Sequence, residues 1–376
     1  MTDPIRLGEL NSYSLATIDG FTGPYLKGLQ LGIERVNASG GVLGRPLELI
    51  SRDDRFEPAF AASVAQNLID DGVDLLLGAF NSDVALAIAE VATRNKTIFV
   101  AGEPRTDDLV WRQGSRYVFR IRTSQSMMSK MLIDMIAKLP HRRWAMLCPE
   151  YRFARKFAGV FKAEVSQIRP DIDWIDERIF NFGHFDAVDA LDWIERNSLD
   201  AVFTPLLGQD LVNFAREGNR RGTFHKCMIV DPLAGEPEYL IPLAADTPEN
   251  WMVLGYPAEQ DLRLSNQVFC EEYRRYAGVY PTLGSLIGYL LIEVIAKAID
   301  RAGIMETEAL VAALEGLKID SPLGDLRIRA ADHQATMGAW IGYLTCREGK
   351  GVMRDWTFLQ GEDYLPTEAE ALRLRF

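Results

Sequence analysis

The chain has 376 residues, of which 48% are hydrophobic and 25% charged, so it is an ordinary globular sequence long enough for two domains. Its formal net charge of −12 argues against nucleic acid or an anionic membrane surface as a partner. No apolar run approaches the roughly 18 residues that a membrane span needs, so we expect no membrane insertion.

Strands and helices alternate in the first third of the chain. Hydrophobic periodicity predicts strands at 5–10, 46–52, 74–78, 97–101 and 117–122, with helices at 25–38, 58–71 and around 85–92. This alternation predicts a doubly wound parallel sheet.

The same pattern starts again after Ser124. Helices are predicted at 127–139, 155–168, 187–197 and 211–220, and strands at 144–148, 172–180, 201–204, 227–230 and 251–255. Three further helices, at 266–277, 283–302 and 307–316, precede a tail that is rich in β-forming residues from Ser321 onward. The chain is therefore predicted to contain two α/β units of similar build.

Polar and aromatic residues follow the strand ends of the first unit. They are Tyr13 after the first strand, Phe80, Asn81 and Ser82 after the third, and Gly102 and Glu103 after the fourth. Open α/β sheets bind small ligands at the carboxyl ends of their strands, and the helix N-terminus at Ser82 offers N–H groups to an anion. We predict that these residues form half of a binding site for a small polar or anionic ligand.

In the second unit, Tyr151 and Phe153 follow a predicted strand, where aromatic rings can wall a planar ligand, although ordinary packing is the alternative for each ring. Arg122 could bind a ligand carboxylate through two hydrogen bonds, or it could form an ion pair with Glu103 or Asp231. Asp231 is predicted to follow a strand and to point to the ligand-binding edge of the sheet; the alternative is that it caps a helix or a turn.

Catalytic chemistry has little support. The sequence lacks GxSxG, Walker and GxGxxG motifs, its four histidines lack metal-binding spacing, and its four cysteines contain no CxxC pair. We therefore predict no enzyme activity, no metal and no cofactor. Asp53 and Asp54 could form a carboxylate pair, but a solvated loop or a charge at the start of the next helix fits better. Arg105 is also expected to be solvated, and His333 to be a structural turn residue.

Four segments occur in an order that is found in one family: GPYLKGLQLGIERVNASGGVLGRPLELISRDD, GVDLLLGAFNSDVALAIAEVA, KTIFVAGEP and YVFRIRTS. Through them nearly the whole chain resembles the periplasmic solute-binding proteins of branched-chain amino acid ABC transporters and their relatives for amides, urea and aromatic acids. The resemblance implies an α/β fold of two Rossmann-like lobes with parallel central sheets, joined by three crossings and closing on a ligand. It implies ligand contacts from Ser82, Gly102, Glu103, Tyr151, Phe153, Leu206 and Leu207.

One departure from this family concerns the ligand. Its amino-acid binders hold the ligand's α-ammonium with an acidic residue in a GPEG-like segment. Here that segment reads VDPLAGE, and Leu233 stands where the glutamate is expected, with Asp231 as a possible substitute. The segments NSYS, GEPEYL and DHQATMGAW resemble the aromatic-acid binders. A benzoate- or nicotinate-like monocarboxylate is therefore the predicted ligand, ahead of a branched-chain amino acid.

The resemblance implies the substrate-binding component of an ABC uptake transporter, located in the periplasm, with permease subunits as partners. The alternative is a cytoplasmic amide or small-ligand sensor that regulates transcription antitermination. Because MTDPIRLGEL leads directly into a strand, we expect the mature part of an exported protein or, under the alternative, a cytoplasmic one. The predicted lobes are 1–122 with 256–332, and 123–255 with 333–376.

Overall fold

The computed structural model describes residues 3–181 and 184–375. Strands in these residues run over Ile5–Asn11 (β1), Leu47–Asp53 (β2), Leu75–Gly78 (β3), Phe99–Ala101 (β4), Val118–Arg120 (β5), Arg143–Pro149 (β6), Asp173–Phe180 (β7), Ala201–Phe203 (β8), Met228–Gly235 (β9), Met252–Gly255 (β10), Lys318–Ser321 (β11), Gly324–Arg327 (β12), Ala339–Arg347 (β13) and Lys350–Leu359 (β14). Helices run over Asp19–Ala38 (α1), Pro58–Asp70 (α2), Ser82–Asn95 (α3), Gln125–Ile136 (α4), Arg152–Ile168 (α5), Ala187–Arg196 (α6), Gly208–Arg221 (α7), Pro237–Leu243 (α8), Leu264–Ala277 (α9), Leu283–Ala302 (α10), Thr307–Leu314 (α11) and Glu368–Leu374 (α12).

The chain divides into two compact units. Unit 1 holds Met1–Ser124, Ala258–Met337 and Leu365–Phe376, and unit 2 holds Gln125–Pro257 and Gly338–Tyr364. The chain therefore passes between the units four times, one crossing more than the resemblance implies.

The extra crossing arises at the C-terminus, where the observed division differs from the predicted lobes. The prediction assigned 333–376 to the second lobe, whereas 333–337 and 365–376 belong to unit 1. Arg375 shows why, because its guanidinium donates hydrogen bonds to the carbonyl oxygens of Ala331 and Ser115 at 3.0 Å each, and both acceptors lie in unit 1.

The sheet of unit 1 has the strand order β2-β1-β3-β4-β5, and its strands pair in parallel. One face packs on α2 and α3, where Leu10, Leu76 and Phe99 cluster with Ala61 and Ala65. The predicted parallel α/β architecture is confirmed for this unit.

Two helices of unit 1 show how local sequence sets element boundaries. Helix α3 begins at Ser82 because the side-chain oxygen of Asn81 accepts hydrogen bonds from the two backbone amides that follow Ser82, which is N-capping. Helix α1 begins at Asp19, six residues before the predicted start at Tyr25, and includes Pro24. Pro24 is the sixth residue of α1, so it removes the backbone hydrogen bond to the carbonyl oxygen of Gly20, yet the helix continues to Ala38.

The sheet of unit 2 has the strand order β14-β13-β10-β9-β8-β6-β7. The strands from β10 to β7 pair in parallel, and β13 and β14 add an antiparallel edge. A ring stack of Phe161 on Phe203, with centroids 3.8 Å apart, joins α5 to this sheet. Unit 2 is thus also an α/β unit with a mainly parallel sheet, as predicted. Across the described ranges, none of the helices combines the length and apolarity needed to cross a membrane.

Candidate functional site

Strands β1, β3 and β4 are neighbours in unit 1, so the turns after them lie side by side. Leu10 pairs with Gly78, which pairs with Ala101. The turn after β3 is tight: Gly78 has φ 123° and Ala79 has φ 62°, and a Cβ on Gly78 would lie 2.2 Å from the carbonyl oxygen of Leu10. A non-glycine residue in this left-handed region is uncommon and is often found at functional sites.

Phe80, Asn81 and Ser82 occupy this turn. The Asn81 side chain accepts the amides of the first helical turn and so serves as the cap of α3. The Phe80 ring packs on Phe21 of α1, with ring centroids 5.5 Å apart. Ser82 is the first helical residue and is buried, at the positive end of the helix dipole. Of the three, Ser82 is the best placed to bind an anionic group.

Gly102 and Glu103 occupy the turn after β4. A Cβ on Gly102 would lie 2.9 Å from Leu291 Cδ1 and 3.2 Å from Tyr25 Cε2, so α10 and α1 approach this turn closely. The whole segment 101–106 is buried. The expectation that Arg105 is solvated is therefore wrong, because this short loop packs down onto the unit and leaves the Arg105 residue only 9% exposed.

Arg122 forms the ion pair that the sequence left as an alternative. Its Nη1 donates to Glu103 Oε2 at 2.7 Å, with side-chain exposures of 2% and 3%. The neighbouring Arg120 is also buried and donates through Nε to Gln334 Oε1 at 2.5 Å and through Nη1 to the carbonyl oxygen of Thr106. Both guanidinium groups thus have partners within unit 1.

Sequence reasoning missed the buried carboxyl group of Glu9 in β1. Tyr13 donates its hydroxyl to Glu9 Oε2 at 2.9 Å. Burial raises the pKa of Glu9 to about 8, while hydrogen bonds from Tyr13 and Ser51 act in the opposite direction. Tyr25 of α1 is buried as well, and its burial raises the pKa of that phenol well above 10.0. The available signal was strand alternation, which places Glu9 on the same face as the buried Ile5 and Leu7.

Asp54 was expected in a solvated loop, and this is wrong. Its carboxylate is fully buried, and Oδ1 accepts from Ser12 Oγ at 2.5 Å and from the amide of Phe56 at 2.8 Å. The bond from Ser12 ties Asp54 to the end of β1, and the bond from Phe56 stabilises the loop that follows Asp54. Asp53 is the last residue of β2, and its Oδ1 accepts a hydrogen bond from the amide of Arg55 at 3.1 Å.

In unit 2, Tyr151 and Phe153 lie at the start of α5. Tyr151 directly precedes the helix and is half-buried, and its ring centroid lies 6.1 Å from that of Phe153. Phe153 is buried and packs edge-on against Phe157 at 5.4 Å, so it joins the aromatic core of the unit. Leu207 has the equivalent position before α7 and is buried, as is Leu206.

Asp231 does not follow a strand, so that part of the prediction is wrong. Strand β9 continues to Gly235, and Asp231 lies fully buried within it. Its Oδ1 accepts from the amides of Leu233 at 2.7 Å and Ala234 at 2.9 Å. Since Pro232 has no N–H and the pairing of β9 with β10 shifts register here, the carboxylate stabilises an irregular strand. The turn-cap alternative describes Asp231 better.

His333 is the structural turn residue that the sequence predicts. It has φ 60°, its Nδ1 lies 3.1 Å from the carbonyl oxygen of Val118, and its ring stacks on Phe119 at 4.1 Å. Within 3–181 and 184–375, no three His, Cys, Asp or Glu side chains are grouped so as to hold a metal ion.

Residues 5–350 match the family model described as Periplasmic binding protein. Among curated proteins, the Leu/Ile/Val-binding protein homolog 3 of Brucella melitensis is 25% identical over 142 residues, which are 38% of this chain and 38% of that protein. The matched region thus spans less than two thirds of that relative's length.

Two solved structures share the fold over nearly the whole chain. A solute-binding protein of an ABC transporter from Rhodopseudomonas palustris BisB5, in complex with 3,4-dihydroxy benzoic acid, has a TM-score of 0.84 at 20% identity and covers 96% of this chain and 98% of its own. An amino acid ABC transporter substrate-binding protein from Pseudomonas fluorescens Pf-5 has a TM-score of 0.87 at 18% identity, with 99% of each chain covered. Together with the family match over most of the sequence, the fold shows that this chain belongs to the periplasmic binding protein family.

Proposed function

We propose that this protein is the periplasmic substrate-binding component of an ABC uptake transporter and that it binds a small aromatic monocarboxylate, such as a benzoate- or nicotinate-like acid. Membership in the family supports the transport role, with permease subunits as partners. The likeness to a solute-binding protein that holds 3,4-dihydroxy benzoic acid supports the ligand class. Ser82, Gly102 and the half-buried Tyr151 are the proposed ligand contacts of the two units.

The observation that carries the ligand class is the environment of Leu233. An amino-acid binder is expected to present a carboxylate at this position to the ligand's ammonium group. Here the position holds a buried aliphatic side chain, and the nearby Asp231 carboxylate accepts hydrogen bonds from the strand's own amides. Position 233 itself offers no carboxylate to an ammonium group, and Asp231 is held in the strand through its Oδ1, which disfavours a zwitterionic ligand.

The experiment is a ligand screen by thermal shift, followed by calorimetry. Benzoate, nicotinate and 4-hydroxybenzoate are compared with leucine, and with benzamide as a neutral analogue of the same shape. A ligand that binds only the folded protein raises its stability by RT ln(1 + [L]/Kd), about 2.7 kcal/mol at 100 Kd. We expect at least one aromatic acid to stabilise the protein more than leucine and benzamide do. Stabilisation by leucine without any response to the aromatic acids would contradict the proposal.

A further inference from the structure

Glu9 and Tyr25 each bring a buried polar atom without a hydrogen-bond partner to one region of unit 1. Glu9 Oε2 accepts from Tyr13, but Glu9 Oε1 has no partner among the described residues, and neither has the hydroxyl of Tyr25. The two residues are 0% and 1% exposed. Because an unsatisfied buried polar group destabilises the fold, such groups are rare and often serve binding.

The two groups interact electrostatically, and Tyr25 also borders a candidate ligand residue. The Glu9 carboxyl and the Glu103 carboxyl both raise the pKa of the Tyr25 phenol, after the larger effect of its burial. The Tyr25 ring also borders Gly102, whose Cβ would lie 3.2 Å from Tyr25 Cε2. Tyr13, which is half-buried at the end of β1, links the Glu9 carboxyl to the edge of the sheet.

The protonation state of Glu9 decides what it can offer a ligand. Its pKa is raised to about 8, mainly by burial and to a smaller extent by the Asp54 carboxylate, against the lowering effect of the Tyr13 and Ser51 hydroxyl groups. Glu103 faces Tyr25 and is paired with Arg122. At pH 7 the Glu9 carboxyl is therefore mostly protonated, and a neutral carboxylic acid in an apolar site can donate a hydrogen bond.

We propose that Glu9 and Tyr25 form an anion subsite, in which the carboxylic acid of Glu9 and the hydroxyl of Tyr25 both donate hydrogen bonds to the carboxylate of the ligand. This inference rests on the proposed binding of an aromatic acid. It assigns the carboxylate to neutral donors, since the buried Arg122 is already engaged with Glu103.

The test is calorimetry at pH 6, 7, 8 and 9, with the tighter-binding acid of benzoate and nicotinate. The charge of these two acids is constant over that range, so a pH dependence near 8 reports on the protein. We expect the affinity of the wild-type protein to fall about tenfold between pH 7 and 9, as Glu9 loses its proton. Glu9→Gln retains a donor, so it should bind within a few fold of wild type at pH 7 and lose the pH dependence.

Tyr25→Phe removes one donor and should weaken binding at least tenfold at pH 7, with the pH dependence retained. The matched control is Glu90→Gln, which makes the same change at an exposed position of α3 and should behave as wild type. Wild-type affinity that is constant from pH 7 to 9 would overturn the subsite. If the wild type bound none of the acids at any pH, the proposed function itself would fail. Since the wild-type pH profile needs no variant, the test stands even if a variant misfolds.

Discussion

Arg122 and Glu103 form an ion pair of 2.7 Å in which both side chains are almost completely buried. Removing one partner of such a pair leaves the other charge in a desolvated site, which typically destabilises a protein by about 3–5 kcal/mol. We therefore expect Arg122→Met to lower the free energy of unfolding by about that amount, measured by urea denaturation at pH 7. The double variant Arg122→Met/Glu103→Leu should recover most of the loss. A single variant as stable as wild type would contradict the structural role of this pair.

The ion pair between Arg122 and Glu103 also predicts how Arg122→Ala affects charged and neutral ligands. If Arg122 is engaged with Glu103, Arg122→Ala should weaken binding of an aromatic acid and of its neutral amide by similar factors, because the change acts through the fold. The measurement is calorimetry of benzoate and benzamide with both proteins. A loss at least tenfold greater for the acid would instead assign Arg122 a direct contact with the ligand carboxylate.

Glu9 should make the stability of the fold depend on pH. Its pKa rises from an ordinary value of 4.5 to about 8 on folding, so the folded state holds the proton more tightly. The stabilising effect of that proton is complete below about pH 4.5 and is lost as the pH rises through about 8. At about 1.4 kcal/mol per pKa unit, the full effect is at most roughly 5 kcal/mol.

Glu9→Gln cannot ionise, so the variant and wild type should be similarly stable at pH 5, and the variant should be more stable by several kcal/mol at pH 9. The difference is measured by urea denaturation across this range, because effects of the other carboxyl groups cancel between the two proteins. Glu90→Gln, at an exposed site, should show no such trend. A stability difference that does not change with pH would mean that Glu9 is already ionised at neutral pH.

The α/β pattern and the residues after the strands of unit 1 could be predicted because they depend on local sequence. Hydrophobic periodicity marked the strands, and a polar turn before an amphipathic segment marked the start of α3. Asp231 could not be placed this way, since β9 continues past a proline through hydrogen bonds between a carboxylate and its own strand. Glu9, Asp54 and Arg105 are buried by tertiary packing, which overrides the usual preference of charged residues for solvent.

Gly28 should be indispensable for the packing of α1 on α10. An ideal Cβ at this position would lie 2.0 Å from the carbonyl oxygen of Ser285, which is a backbone atom that cannot rotate away. Gly28→Ala should therefore force the helices apart and lower the free energy of unfolding by at least about 1–3 kcal/mol. Gly20→Ala is the matched control in the same helix, where a Cβ would meet nothing within 4 Å, and it should stay within about 1 kcal/mol of wild type. Thermal and urea denaturation measure both, and equal stability of the two variants would refute the close-packing argument.

Substitutions at Tyr151 and Phe153 should affect ligand affinity and the stability of unit 2 to different extents. Phe153 is buried against Phe157, so Phe153→Ala should destabilise the fold by about 3–5 kcal/mol through the cavity it leaves. Tyr151 is half-buried ahead of α5, so Tyr151→Ala should cost less stability while weakening binding of an aromatic acid by about 1–3 kcal/mol. Denaturation gives the first quantity and calorimetry the second. Tyr151→Phe, which keeps the ring, should retain most of the affinity, whereas unchanged affinity in Tyr151→Ala would remove Tyr151 from the proposed site.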